Sequence, residues 1–163
     1  RNTRCVVERP CYPSIHEMTN SRAVVTNMEI AWAYTLDACV PDSRCEFGFL
    51  IYSYGGANGI YVGNIEHGPS ADNSTNPENN KGKISLKLPA DKTELCGFFH
   101  THTSYQYFDF PCFRITGPSG DDIAICNKYN ISGLLYDYDA DTVFYRDSKD
   151  LPYTLYKYGT IQK

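Results

Sequence analysis

The chain has 163 residues, 42% of them hydrophobic and 14% aromatic, enough apolar mass for one folded domain and too much for a disordered tail. Its formal net charge of −4 comes with no basic run, which argues against nucleic acid as a partner. No apolar stretch approaches the roughly 20 residues that a membrane-spanning helix needs.

Residues 1–20 hold prolines and two cysteines and read as an irregular lead-in. The chain begins at Arg1 without an apolar leader, as a processed form or a domain of a longer polypeptide would. Seven cysteines are many for one domain, and no C-x-x-C pair is present to suggest a thiolate metal site. Cys5 with Cys11, and Cys39 with Cys45, are close enough to close small disulfide loops, which points to an oxidising compartment and hence secretion or export.

From Ser21 to Ala38 the residues Val24, Val25, Met28, Ala31, Trp32 and Leu36 recur near helical spacing, with Ser21 as N-cap and Pro41 beyond the end. Glu46–Tyr52 and Gly59–Ile65 are β-prone runs around Gly55-Gly56 and predict a hairpin. Residues 67–83 are polar and Gly/Pro-rich, a surface loop, and Lys83–Leu88 alternates like a half-buried strand. Leu95–His100 is almost wholly apolar and predicts a central strand.

Residues 103–118 form a second long loop, rich in aromatic side chains. Ser119 then opens a helix with Asp121 and Asp122 in its first turn, where the helix dipole favours acids. Ile131–Tyr138 and Thr142–Arg146 predict two strands joined at Asp139-Ala140-Asp141, and Tyr153–Lys163 a final edge strand. These elements predict one α/β (α+β) domain over residues 1–163, a single mixed sheet flanked by helices.

His100 and His102 are the chemical centre of this pattern. Two residues apart in a strand, their side chains share a face about 6–7 Å apart, a spacing that lets both imidazoles bind one ion. Asp122, at a helix start, can supply a third ligand, leaving a position open as catalytic zinc sites do. Ser119 can present its hydroxyl to an oxyanion, and Glu46 can act as the general base. Asp121 competes with Asp122 for the third-ligand role but reads better as a surface acid. Glu66 and His67 are an alternative base and ligand that read better as solvated loop residues, and His16 reads as structural.

Glu46-Phe47-Gly48-Phe49-Leu50, His100-Thr101-His102 and Ser119-Gly120-Asp121-Asp122 together resemble the signature of JAMM (MPN-type) zinc metallopeptidases, closest to the bacterial domains at the ends of secreted or toxin-delivering polypeptides. The resemblance spans roughly Ser21 to Tyr138 and implies an MPN-type, cytidine-deaminase-like architecture. It implies zinc on His100, His102 and Asp122, Glu46 as acid/base and Ser119 as oxyanion donor. The implied activity is hydrolysis of a peptide or isopeptide amide by a metal-activated water. Two features depart from the family pattern: Thr103 stands where proline usually follows the second histidine, and the aromatic stretch lengthens the path to Ser119. A catalytically inactive binding domain presenting residues 105–113 to a protein partner is the alternative expectation.

Overall fold

The computed structural model describes residues 12–74 and 82–159, so Cys5 and Cys11 lie outside the described residues. A short helix α1 (Ile15–Thr19) comes first, closed by a reciprocal capping box in which the Ser14 hydroxyl accepts from Glu17 N and the Glu17 carboxylate accepts from Ser14 N. The lead-in is therefore ordered from Ser14 onward, and Ser14-x-x-Glu17 is the signal that a reading based on its prolines passed over. Helix α2 (Arg22–Ala38) starts at Ser21 as predicted and buries Val24, Met28, Ala31, Trp32 and Thr35 along one stripe. Each large apolar side chain so buried contributes roughly 1.5–3 kcal/mol.

The strands are β1 (Phe47–Ser53), β2 (Ile60–Val62), β3 (Glu66–His67), β4 (Leu95–Thr101), β5 (Phe113–Ile115), β6 (Ser132–Tyr138), β7 (Thr142–Phe144) and β8 (Tyr153–Gly159), with helix α3 (Gly120–Tyr129) between β5 and β6. Six of them form one mixed sheet in the order β2-β1-β4-β6-β8, with β3 also on β1. Among the described residues only the β4–β6 pair is parallel; β1–β4 and β6–β8 are antiparallel. Helices α1 and α2 cover one face through Met18, Val24, Met28 and Trp32 packed on Phe49, Phe99, Leu134 and Tyr138. Helix α3 covers the other through Cys126, packed with Leu50, Phe98, Leu135 and Tyr158. The predicted mixed α/β class is the observed one.

Three local expectations are corrected. Lys83–Leu88 has the predicted alternation, with Ile84 buried and Ser85 and Lys87 exposed, but among the described residues it pairs with no strand. Its Ile84 N–H donates instead to Glu46 Oε1 at 3.0 Å, so a side chain takes the place of a ladder. The segment 103–118, expected as loop throughout, holds the three-residue strand β5, which pairs with β7 as a separate two-stranded ribbon. Finally, Cys39 and Cys45 are both buried free thiols, as are Cys96 and Cys126, while Cys112 is half-buried and free. Cys39 Sγ lies 3.3 Å from Ser104 Oγ instead. These cysteines give no argument for an oxidising compartment.

The parallel β4–α3–β6 crossover positions the predicted site. A helix that returns the chain from the end of β4 to the start of β6 must begin beside the carboxyl end of β4, where open α/β sheets place their ligands. His100 and His102 lie at that end, and Asp122 lies in the first turn of α3.

Candidate metal centre

Strand β4 alternates its faces through this region. Thr101 points to α2, its hydroxyl 2.6 Å from that of Thr35, while His100 stacks with Phe98 on the α3 side. The strand's pairing explains the glycine in the Glu46–Leu50 motif. Gly48 stands opposite His100, and a Cβ there would meet Phe99 O at 2.4 Å and His100 Cβ at 3.1 Å. Glycine is the residue that lets β1 run close beside the first histidine. The same antiparallel register, continued outward by two residues, brings Glu46 across from His102, and both line one cavity.

Helix α3 begins with a second capping box. Ser119 Oγ accepts from Asp122 N at 3.2 Å, and Asp122 Oδ2 accepts from Ser119 N at 2.8 Å. That same Oδ2 lies 3.3 Å from His100 Nε2 and 3.4 Å from His102 Nε2. One donor atom from each of His100, His102 and Asp122 falls within 4.8 Å of the others, so this largely buried group could hold a metal ion. The two histidine–carboxylate spacings fit such an ion. Nitrogen and oxygen ligands about 2.0–2.1 Å from a tetrahedral ion stand about 3.3–3.4 Å from one another.

The electrostatics favour a charged cluster. Burial alone would raise the Asp122 pKa, but the hydrogen bonds from His100 and His102 reverse this and hold its carboxyl well below the usual carboxylate range. Burial opposes a charge on His102, yet its bonds to Asp122 and Asp137 raise its pKa to about 9 in the metal-free protein. A metal bound there would supply the positive charge that a proton on His102 otherwise brings to these acids.

Two residues of the site were not anticipated. Asp137, fully buried in β6, lies 3.0 Å from His102 Nδ1 through Oδ2. Arg114 of β5 donates to both of its oxygens, at 2.7 and 2.6 Å, and also to the Thr103 carbonyl at 2.8 Å. Gly117 N and Tyr138 N complete the shell at 2.9 and 2.7 Å. Burial is again the largest influence on Asp137 and acts upward, but His102 and Arg114 overcome it and keep the carboxyl ionised. An ionised carboxylate only accepts, so His102 Nδ1 carries a hydrogen toward Asp137. In the metal-free chain Nε2 carries one toward Asp122, and a bound metal would replace that second proton. The available signal was an acid inside the apolar run Ser132–Tyr138, which is costly to bury without a partner.

The remaining predicted residues fall as follows. Glu46 is half-buried at the cavity wall, and Ser119 is exposed at its rim. Asp121 is a surface acid paired with Lys83 at 2.6 Å. Glu66 and His67 are exposed on β3, outside the cluster. His16 is exposed, with Nε2 3.0 Å from Asn20 Nδ2. Thr103 is used where the family pattern has proline: its Oγ1 accepts from Arg44 Nε at 3.1 Å. The aromatic loop packs on itself and on that arginine, with Tyr105 stacked on Phe108 at 4.6 Å and the Arg44 guanidinium 4.1 Å from the Phe108 ring centroid. It frames a cavity of about 390 Å³ onto which His102, Glu46 and Asp122 open. No family model, curated protein or solved structure matches the chain.

Proposed function

We propose that this protein is a zinc-dependent hydrolase of amide bonds, cleaving peptide or isopeptide linkages. The observation that carries the proposal is the set of Nε2–Oδ2 spacings of 3.3 and 3.4 Å among His100, His102 and Asp122, beside a cavity that also holds Glu46. Zinc bound there would polarise the scissile carbonyl and lower the pKa of a water. The zinc assignment rests on a two-imidazole, one-carboxylate donor set, which suits that ion and leaves a position for substrate.

The chain's own groups divide the remaining work. Asp137 fixes the ring of His102 with Nε2 turned inward. Glu46 takes the proton of the attacking water and returns it to the leaving amine; the Ile84 N–H on its Oε1 holds the carboxylate in place. The Ser119 oxygen accepts from Asp122 N, which leaves its own hydrogen to be donated to the oxyanion. Loss of such a donor costs about 3–4 kcal/mol in other hydrolases. The JAMM-like motifs imply the same assignment of roles.

Reconstitution with zinc, followed by elemental analysis and cleavage assays on quenched peptides and ε-linked isopeptides, tests this reading. Stoichiometric zinc is expected, with turnover lost on chelation and restored by metal. In Glu46→Gln the zinc is expected to stay while turnover falls about 10²–10⁴-fold. A chain that takes up no metal, or a Glu46→Gln variant as active as the parent, would overturn it. A non-catalytic binding domain predicts that second result.

A further inference from the structure

The metal-ligand cluster lies between two cavities of different character, and Asp122 lines both. The first, already described, is lined mostly by polar and charged residues, among them Glu46, His102 and Ser119. The second, of about 460 Å³, runs from His100 and Asp122 between the sheet and α3. Its walls are apolar: Leu50, Phe98, Leu86, Leu88 and Ile125, with Tyr129 among the lining residues. Lys92 and Lys128 also line it, their ammonium groups 5.6 and 5.2 Å from the Tyr129 ring centroid.

The cations of the polar cavity are engaged: Arg114 with Asp137, Lys83 with Asp121, and Arg44 with Thr103 and the Asp72 carbonyl. Lys92 and Lys128 have no carboxylate partner among the described residues; each has only the face of an aromatic ring. Two such cations beside an apolar cleft complement a ligand that is apolar along its length and anionic at its end.

We propose, building on the hydrolase reading above, that the substrate is an amide whose acyl side is an apolar chain or side chain bearing a carboxylate. That portion occupies the apolar cavity, with its carboxylate on Lys92 and Lys128. Chemistry fixes the polarity. Glu46 must hand its proton to the leaving amine, so the amine side belongs in the cavity that Glu46 lines and the acyl side in the other. Hydrolysis is balanced by water alone: the C–N bond breaks, the acyl carbon gains the hydroxyl, and the amine gains the proton.

The test uses suberic acid monohydroxamate on the zinc-loaded chain, against the same hydroxamate ending in a carboxamide or an ammonium group. Calorimetry is expected to rank the carboxylate tail tightest, by about five- to tenfold over the ammonium tail. A Lys92→Ala/Lys128→Ala double variant should erase that preference and leave affinity for the carboxamide tail unchanged. Equal affinity for the three tails, a preference that survives the double variant, or no binding by any of them to zinc-loaded protein would overturn the proposal. Zinc content, measured separately, reports on the hydrolase reading. If no zinc is taken up, the same three compounds are compared on the metal-free chain, where a lysine-dependent carboxylate preference supports the proposal and its absence ends it.

Discussion

Asp137 Oδ2 accepts a hydrogen bond from His102 Nδ1 at 3.0 Å while Arg114 holds the same carboxylate through both oxygens. This acid therefore meets His102 on the side away from Asp122 and decides which nitrogen of the ring faces Asp122. It also lets a fully buried carboxylate and a largely buried guanidinium satisfy each other.

Asp137→Asn should act on both functions. The amide cannot match the charge of Arg114, and removing one member of a buried pair typically costs about 3–5 kcal/mol. A lowered urea midpoint is expected. Chelator competition should show zinc affinity down about 10–100-fold, the usual effect of losing the group that orients a metal-bound imidazole. A variant with the parent's zinc affinity would remove Asp137 from the site.

The pH dependence follows from two opposed shifts. In the metal-free chain the His102 pKa is raised from 6.5 to about 9, so its contribution to stability is full below pH 6.5 and fades as pH rises toward 9. Asp122 and Asp137 are depressed, so theirs is present above the ordinary carboxylate range and fades as pH falls below it. Stability of the chelated protein should thus decline from pH 6.5 to 9, as read by thermal melting. Zinc must displace the His102 proton, so its affinity should rise over that same interval, with proton release detectable by calorimetry in buffers of different ionisation enthalpy.

Ser119→Ala should separate capping from catalysis. Loss of the Oγ acceptor for Asp122 N should cost about 1 kcal/mol of stability, as for other N-cap serines. If the hydroxyl also serves the oxyanion, kcat should fall about 10²–10³-fold with zinc content unchanged. A fall of only a few-fold would limit Ser119 to the cap.

Gly48→Ala tests the close approach of β1 to β4. The new methyl would meet backbone, Phe99 O at 2.4 Å, so the strands must part beside His100. Overpacking of this kind costs about 1–3 kcal/mol. A drop in zinc occupancy is expected with it, whereas Gly55→Ala, at a position where a Cβ meets nothing within 4 Å, should change neither.

The ligand cluster was legible in sequence because each residue sits at the end of a regular element. His100 and His102 close an apolar strand, and Asp122 follows an N-cap serine, so local rules placed all three. The crossover helix then made their meeting a matter of topology. Asp137 and Arg114 were not legible in the same way. Their pairing depends on β5 forming inside a segment whose aromatic residues read as loop, and on β7 leaving its neighbour β6 to pair with it. Lys83–Leu88 shows the converse: its periodicity correctly reported burial, but periodicity does not say whether the backbone finds a strand or a single carboxylate. Cysteine spacing was misleading because Cys39 and Cys45, six positions apart, are held as buried thiols by the packing around them.

The capping box at Ser119 has a consequence for the order of assembly. Asp122 Oδ2 both closes the first turn of α3, through Ser119 N at 2.8 Å, and faces the two histidines. The three donors come together only once that turn is wound, so an ion bound there would couple loading to the start of the helix. The amide of Ser119, bonded to the same oxygen that the histidines face, would then report occupancy: its hydrogen exchange is expected to slow if the site fills.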